Sequence, residues 1–414
     1  MQYHKISKLI LILILLIAFD ISKAQVIFSP KVDSVLNLVS IQSLIKFNKE
    51  LSGDTLVMIG GFPRLIYSRF HTTQGNILAQ QYIYEKFQSF GLTPKYMINN
   101  QTNINVYALK LGMKYPEQKI IIGAHFDNVK IPIPSLTDTV HGADDNASGV
   151  CAVLEAARLI TVLNTDYTIE FVAFDEEENG LYGSQAFADS CYARGDSILG
   201  VINLDMIGWD SNNDMKSYIF TNSNSLLLAD DYIRSNQIYQ IGLNIYKDTV
   251  GLIADHKSFW LRGFKALTLI EDLNDFNPHY HKSTDTYDKL NIPYLHKLVK
   301  SALAAILSLA TDSKFRIVHT PIVSTIDTSR ISTSALIHFP GKIATGVNAP
   351  RLYYKTRNGQ YNYVNAYDIN QEIYFFELPG RISGTEINYY IAAQDSTGNY
   401  IITNPEGGTG TNPP

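Results

Sequence analysis

The sequence predicts an α/β fold of three layers, with helices on both faces of a mostly parallel sheet, followed by a C-terminal all-β sandwich. Three observations carry that reading. Apolar runs such as IIIGA at 120–124 are continuous rather than alternating in polarity, as in strands buried on both faces. These runs alternate along the chain with stretches of helical period. Beyond Asp312 the pattern changes to short β-prone runs divided by Gly, Pro and Asn.

Taken in order, Lys5 and Lys8 precede an apolar run, Leu9 to Phe19, that leads into Ser22-Lys23-Ala24. A basic start, an apolar centre and a small-x-small exit form a secretory signal peptide over 1–24. The run is shorter than the ~20 apolar residues a membrane-spanning helix requires. Cleavage is expected after Ala24. The expectation is a protein secreted, or placed in the periplasm or at the cell surface, with no integral membrane segment remaining.

The α/β domain is expected over 25–315. A helix is predicted from Gly75 to Leu92, closed by a glycine. Strands are predicted at Ile104–Leu109, Lys119–Ala124, Thr168–Phe174, Val201–Met206 and Ala266–Ile270, with helices at Ala147–Leu163, Ser223–Asn236 and Pro293–Ala310. The β-sandwich is expected over 316–414. Its stretch 318–329 reads as a linker or first strand, and ALIHF, RLYYKT, YNYVNAYD, EIYFFEL and INYYIAAQD read as strands. The tail EGGTGTNPP reads as a flexible end.

Composition narrows the functional classes. The 414 residues are 45% apolar and 18% charged, which excludes a disordered chain and a disulfide-dense mini-scaffold. A formal charge of -5, with no Lys/Arg cluster, argues against a nucleic-acid partner. The two cysteines, Cys151 and Cys191, fall within helical patterns and read as small buried hydrophobes with free thiols.

The chemistry gathers at strand ends. His125 follows IIIGA and is two residues before Asp127, while Asp144 and Asp145 open the helix at 147. Asp175 to Glu178 follow TIEFVAF, Asp205 closes VINLD, and His279 and His281 follow ALTLI. In an open parallel sheet the carboxyl ends of the strands face one crevice, where ligands bind. Each piece alone has a plainer reading: a satisfied histidine, a solvated acidic loop, an N-cap aspartate. Together they form a cluster of like charges that needs cations to exist. Two histidines with several carboxylates suit zinc, one carboxylate bridging to a second ion, in the pattern of metal-assisted hydrolysis.

The motifs AHFD, GADDNASGV, FDEEENGLYGS, NLDMIG, DHKSFWLRG and YHKSTDT, in that order, resemble those of the secreted di-zinc aminopeptidases. This is the family of bacterial leucyl aminopeptidase and aminopeptidase Y, and the likeness covers roughly Val35 to Asp312. It implies a three-layer α/β/α zinc-exopeptidase fold and two zinc ions. One ion would be held by His125 and Asp205, the other by Glu178 and His281, with Asp144 bridging both across a cis Asp144–Asp145 peptide. Glu177 would be the general base for a metal-bridging hydroxide, and Asp127 would orient His125. His279 falls outside the pattern as a rim residue, and Asp285 is a candidate to fix His281. Asp255 and His256 match a motif without an evident chemical role. The implied reaction is hydrolysis of the N-terminal peptide bond of peptides or proteins with a free N-terminus. The first side chain would be met by loops around 209–213 and 249–254. A carboxypeptidase or dipeptidase, a glutaminyl-cyclase-like enzyme and a non-enzymatic binding protein are the alternatives. The C-terminal region more weakly resembles a fibronectin type III or immunoglobulin-like module, most clearly at YYIAAQDSTGN.

Overall fold

Alternating side chains of the central strands meet two different helical layers. This computed structural model describes residues 25–99, 103–249, 251–311, 314–339, 341–357, 359–398 and 400–405. The signal peptide expected at 1–24 and the tail from Glu406 lie outside the described residues. The chain divides into two compact units, 25–314 and 315 onward.

The first unit opens with β1 (Gln25–Val26), α1 (Pro30–Leu36), α2 (Ile41–Leu51) and a hairpin of β2 (Val57–Ile59) and β3 (Phe62–Arg64). Next come α3 (Gln74–Ser89), β4 (Lys95–Ile98), β5 (Ile104–Lys110), β6 (Tyr115–His125), α4 (Ala147–Ile160), β7 (Tyr167–Phe174) and α5 (Tyr182–Arg194). They are followed by β8 (Ser197–Leu204), β9 (Lys216–Phe220), α6 (Leu226–Ile238), β10 (Asn244–Asp248), α7 (His256–Trp260), β11 (Ala266–Glu271) and α8 (Ile292–Ala310).

Strands β4 to β11 form an eight-stranded sheet in the order β10-β9-β11-β8-β6-β7-β5-β4. Its centre, β11-β8-β6-β7, is parallel. The flanks are mixed: β9 runs antiparallel to β11, and β5 antiparallel to β7 and β4. On one face Ile120, Ile122, Ala124, Phe171 and Leu204 pack against α3, α4 and α8. On the other, Ile121, Val172, Phe174 and Val201 pack against Phe187 and Cys191 of α5 and Phe259 of α7. Both faces are therefore dry, which is why the β6 and β7 sequences carry no polar alternation. Cys151 and Cys191 are free and buried, one in each layer.

The helices start where the chain supplies caps. Thr73, Asn146 and Asn291 accept from the amides of Asn76, Gly149 and Tyr294, opening α3, α4 and α8. The helix α8 is long and apolar enough to cross a membrane by composition, and it is mostly buried here as a core helix.

The second unit contains β12 (Lys314–His319), β13 (Ile331–His338), β14 (Arg351–Thr356), β15 (Asn362–Asn365), β16 (Asp368–Asn370), β17 (Ile373–Leu378), β18 (Ile387–Gln394) and β19 (Ile401–Asn404). They pair antiparallel in two sheets, β12-β13-β17-β16 and β15-β14-β18-β19. The stretch 320–330 carries no strand.

Candidate active site

The carboxyl ends of β6, β7, β8 and β11 deliver the chemistry to one edge of the sheet. His125 is the last residue of β6 and is fully buried. Its Nδ1 lies 3.2 Å from the Asp127 carbonyl oxygen and 3.4 Å from Asp127 Oδ1. In the tautomer protonated at Nδ1, the Nε2 lone pair faces Asp205 Oδ1 at 3.3 Å and Asp145 Oδ1 at 3.4 Å. The second imidazole stands opposite. His281 Nε2 is 3.3 Å from Asp145 Oδ2 and 2.9 Å from Glu178 Oε2.

Asp145 thus turns one oxygen to each histidine. The ligand atoms of His125, Asp145 and Asp205 lie within 4.8 Å of one another, as do those of Asp145, Glu178 and His281. Glu178 Oε1 is buried without a hydrogen-bond partner, and the contacts of His281 Nε2 with Glu178 and Asp145 are ion-pair contacts rather than well-aligned hydrogen bonds. Acceptors facing acceptors in a dry site are costly unless a cation sits between them, so each group of donors fits a metal ion.

The carboxylate set between the two histidines is therefore Asp145, one residue past the Asp144 expected there. Asp144 does not join either set. Its Oδ1 accepts from the Gly208 amide at 2.7 Å and its Oδ2 from Asn277 Nδ2 at 2.8 Å, which turns the carboxyl away from the histidines. A Cβ on Gly208 would stand 2.9 Å from Asp144 Oδ1 and 2.8 Å from Leu290 Cδ2, so a larger residue there would push one of these side chains aside. The cis peptide likewise lies at Asp145–Asn146 rather than Asp144–Asp145. Asp285 does not hold His281. Its carboxylate accepts from the amides of Asp144 (3.0 and 3.2 Å) and Asp145 (3.0 Å) and so fixes the turn that presents Asp145.

Asp127 does more than face His125. Its carboxylate also accepts from the amides of Glu177 (3.1 Å) and Glu178 (3.2 Å), anchoring the acidic loop after β7. The loop leaves the strand through Glu176 at a φ of 54°. Glu178 is thereby aimed at His281, while the charges that act most on Glu177 are His125, Asp205, Asp255 and Glu178. His279 sits on the rim, with Nδ1 2.8 Å from Thr284 Oγ1 and its ring edge-on to Trp209.

The electrostatics follow from burial and crowding. Burial pushes Glu178 up to about 8, helped by Asp145 and opposed by His281. Burial also raises Glu177 well above the usual carboxylate range. Burial works against charging His281, yet its bonds to Asp145 and Glu178 lift it to about 10. For Asp145 burial is overcome by the two histidines, and its pKa falls. Asp144 rises to about 6, chiefly from burial.

Three residues of this network carry no role in the motif reading. Glu271, the last residue of β11, accepts from the amides of Trp209 and Asn277 at 3.1 Å each. Its burial, and its contact with Asp144, hold it protonated well above the usual range. The strand-end rule that picks out Asp205 applies equally to Glu271. Asn277, which ties Asp144 to Glu271, lacks such a signal, as does Arg69, buried behind the site.

Residues 105–306 match peptidase family M28. The M28 region runs from β5 into α8 and takes in every donor named above. The chain is 30% identical over 210 residues to a protein named as a probable aminopeptidase of Saccharomyces cerevisiae, covering 48% of this chain and 55% of that one. It spans about half the length of the curated relatives it matches. In fold it is similar to the LapA aminopeptidase of Legionella pneumophila, with a TM-score of 0.60, 21% identity and coverage of 70% of this chain and 76% of that one. A glutaminyl cyclase of Porphyromonas gingivalis shares the fold at a TM-score of 0.52 and 19% identity, covering 64% and 97% of the two chains.

Proposed function

We propose that this chain is a secreted zinc-dependent aminopeptidase that hydrolyses the N-terminal peptide bond of peptides or proteins. The observation that carries the reading is Asp145, one oxygen toward His125 and the other toward His281, each histidine also facing one further carboxylate. The M28 match and the aminopeptidase relatives support the reaction class. One zinc would be held by His125, Asp145 and Asp205, and a second by Asp145, Glu178 and His281. When bound, zinc supplies a Lewis acid for the scissile carbonyl and lowers the pKa of water.

The chain's own groups do the rest. Glu177 is the general base: it takes the proton from the attacking water and returns it to the leaving amine. Cations at the two donor sets would bring its raised pKa down, reversing the effect of the crowded carboxylates. Asp127 holds both the His125 ring and the amides of Glu177 and Glu178, keeping base and ligands in register. Secretion rests on the sequence of 1–24, and the second unit reads as a fibronectin type III or immunoglobulin-like accessory module.

The test is a substrate panel assayed with and without chelator. Cleavage of leucyl amides with a free amine, absent for N-acetylated ones and lost to chelator, is expected. Release of C-terminal residues, or cyclisation of N-terminal glutamine in place of hydrolysis, would overturn the assignment.

A further inference from the structure

Arg69 lies between β3 and α3 and is fully buried. Its guanidinium donates to four backbone carbonyls. Nε reaches Phe126 O at 2.6 Å, Nη1 reaches Leu51 O at 2.8 Å and His141 O at 2.7 Å, and Nη2 reaches Gly142 O at 2.7 Å. Among the described residues no carboxylate lies within ion-pair distance of it. Its backbone amide donates to Asn128 Oδ1 at 2.9 Å, and Asn128 in turn donates to Val140 O at 2.9 Å. A Cβ on Gly142, which sits at a φ of 53°, would stand 2.8 Å from Arg69 Nη2.

The two segments joined in this way are not neighbours in sequence. One, 125–128, carries His125 and Asp127; the other, 140–145, carries Asp144 and Asp145. The His125–Asp145 separation of 3.4 Å depends on how these segments are set against each other. Burying an unpaired cation is costly, and burial lowers the Arg69 pKa to about 10 while Asp285, Asp145 and Asp127 pull it back up. A planar fork with five donors can bind four carbonyls at once, which the three donors of a lysine ammonium cannot.

We propose that Arg69 is a positioning residue for the metal-ligand set, locking the His125 segment to the Asp145 segment. This rests on the zinc reading of the site. Charge alone makes the opposite prediction. A buried cation close to the donors repels a metal ion, so its removal by electrostatics would tighten zinc binding.

The experiment measures zinc affinity of the full chain by chelator competition, for wild type, Arg69→Met and Arg69→Lys, with circular dichroism to confirm folding. The expected result is a 10–100-fold loss of zinc affinity in both variants, the range for residues that orient ligands from behind. Arg69→Lys keeps the charge and loses the fork, so it decides the matter if Arg69→Met does not fold. Affinity equal to or tighter than wild type in a folded variant overturns the proposal, including where thermal stability alone has dropped. A wild type that binds no zinc overturns the metal-site reading itself, a different failure from unchanged variants of a zinc-binding wild type.

Discussion

The two adjacent aspartates give predictions of different size for two conservative substitutions. Asp145→Asn removes one anionic donor from both ligand sets at once. At an effective dielectric of about 20, unit charges at the 3.3 Å Asp145–His281 separation interact by about 5 kcal/mol. A cation held at comparable range loses interaction on that scale, or about three and a half orders of magnitude in affinity. Asp144→Asn leaves both sets intact. Its amide oxygen can still accept from Gly208, but its NH2 meets the Asn277 NH2 donor. The lost charged hydrogen bond costs about 1.5–3 kcal/mol of stability. The disturbed support of Asp145 costs about 10–100-fold in zinc affinity. The assay is zinc titration against a competing chelator, with metal counted after gel filtration and turnover of a leucyl p-nitroanilide. Loss of zinc in Asp144→Asn, with both ions retained in Asp145→Asn, would refute the assignment of the bridge.

Three further outcomes follow from the same geometry. Glu177→Gln keeps zinc and lowers kcat by roughly 10²–10⁴, read from steady-state rates and metal content together; near-normal turnover removes it as the base. Zinc at 100 times its Kd adds about 2.7 kcal/mol to the unfolding free energy, so chelation lowers the urea midpoint of the folded protein by a corresponding amount. His256, whose Nδ1 lies 2.6 Å from Thr268 Oγ1, is depressed by burial to about 3. The unfolded chain therefore binds this proton from its ordinary value of 6.5 downward while the fold does not, so stability falls as pH drops from 6.5 toward 3. Replacing His256 with Gln should flatten that slope in denaturant titrations, and an unchanged slope would count against its neutral burial.

The central strands and the layering are legible in the sequence because burial on both faces leaves an unbroken apolar signature. Strand β6 extends beyond the predicted Lys119–Ala124 at both ends, since its exposed start, Tyr115–Gln118, lacks that signature. The edge strand β10, largely exposed, escapes notice for the same reason, and its short neighbour β9, KSYIF, offers no continuous apolar run. Helix α5 is missed because YGSQAFADSCYAR presents no clear apolar stripe. At the site, the gathering of His125, Glu178, Asp205 and His281 is readable because strand ends carry such side chains to one edge. The choice between Asp144 and Asp145 is not readable. It is made by Gly208, Asn277 and Asp285, all remote in sequence, which claim the Asp144 side chain and the turn's amides. Arg69 is hidden for a related reason, since its partners are carbonyl oxygens that any residue supplies.

The most direct test of the account is anomalous scattering at the zinc edge from crystals of the zinc-loaded protein. Two peaks are predicted, one among His125, Asp145 and Asp205 and one among Asp145, Glu178 and His281. A lone peak, or density coordinated by Asp144, would contradict it.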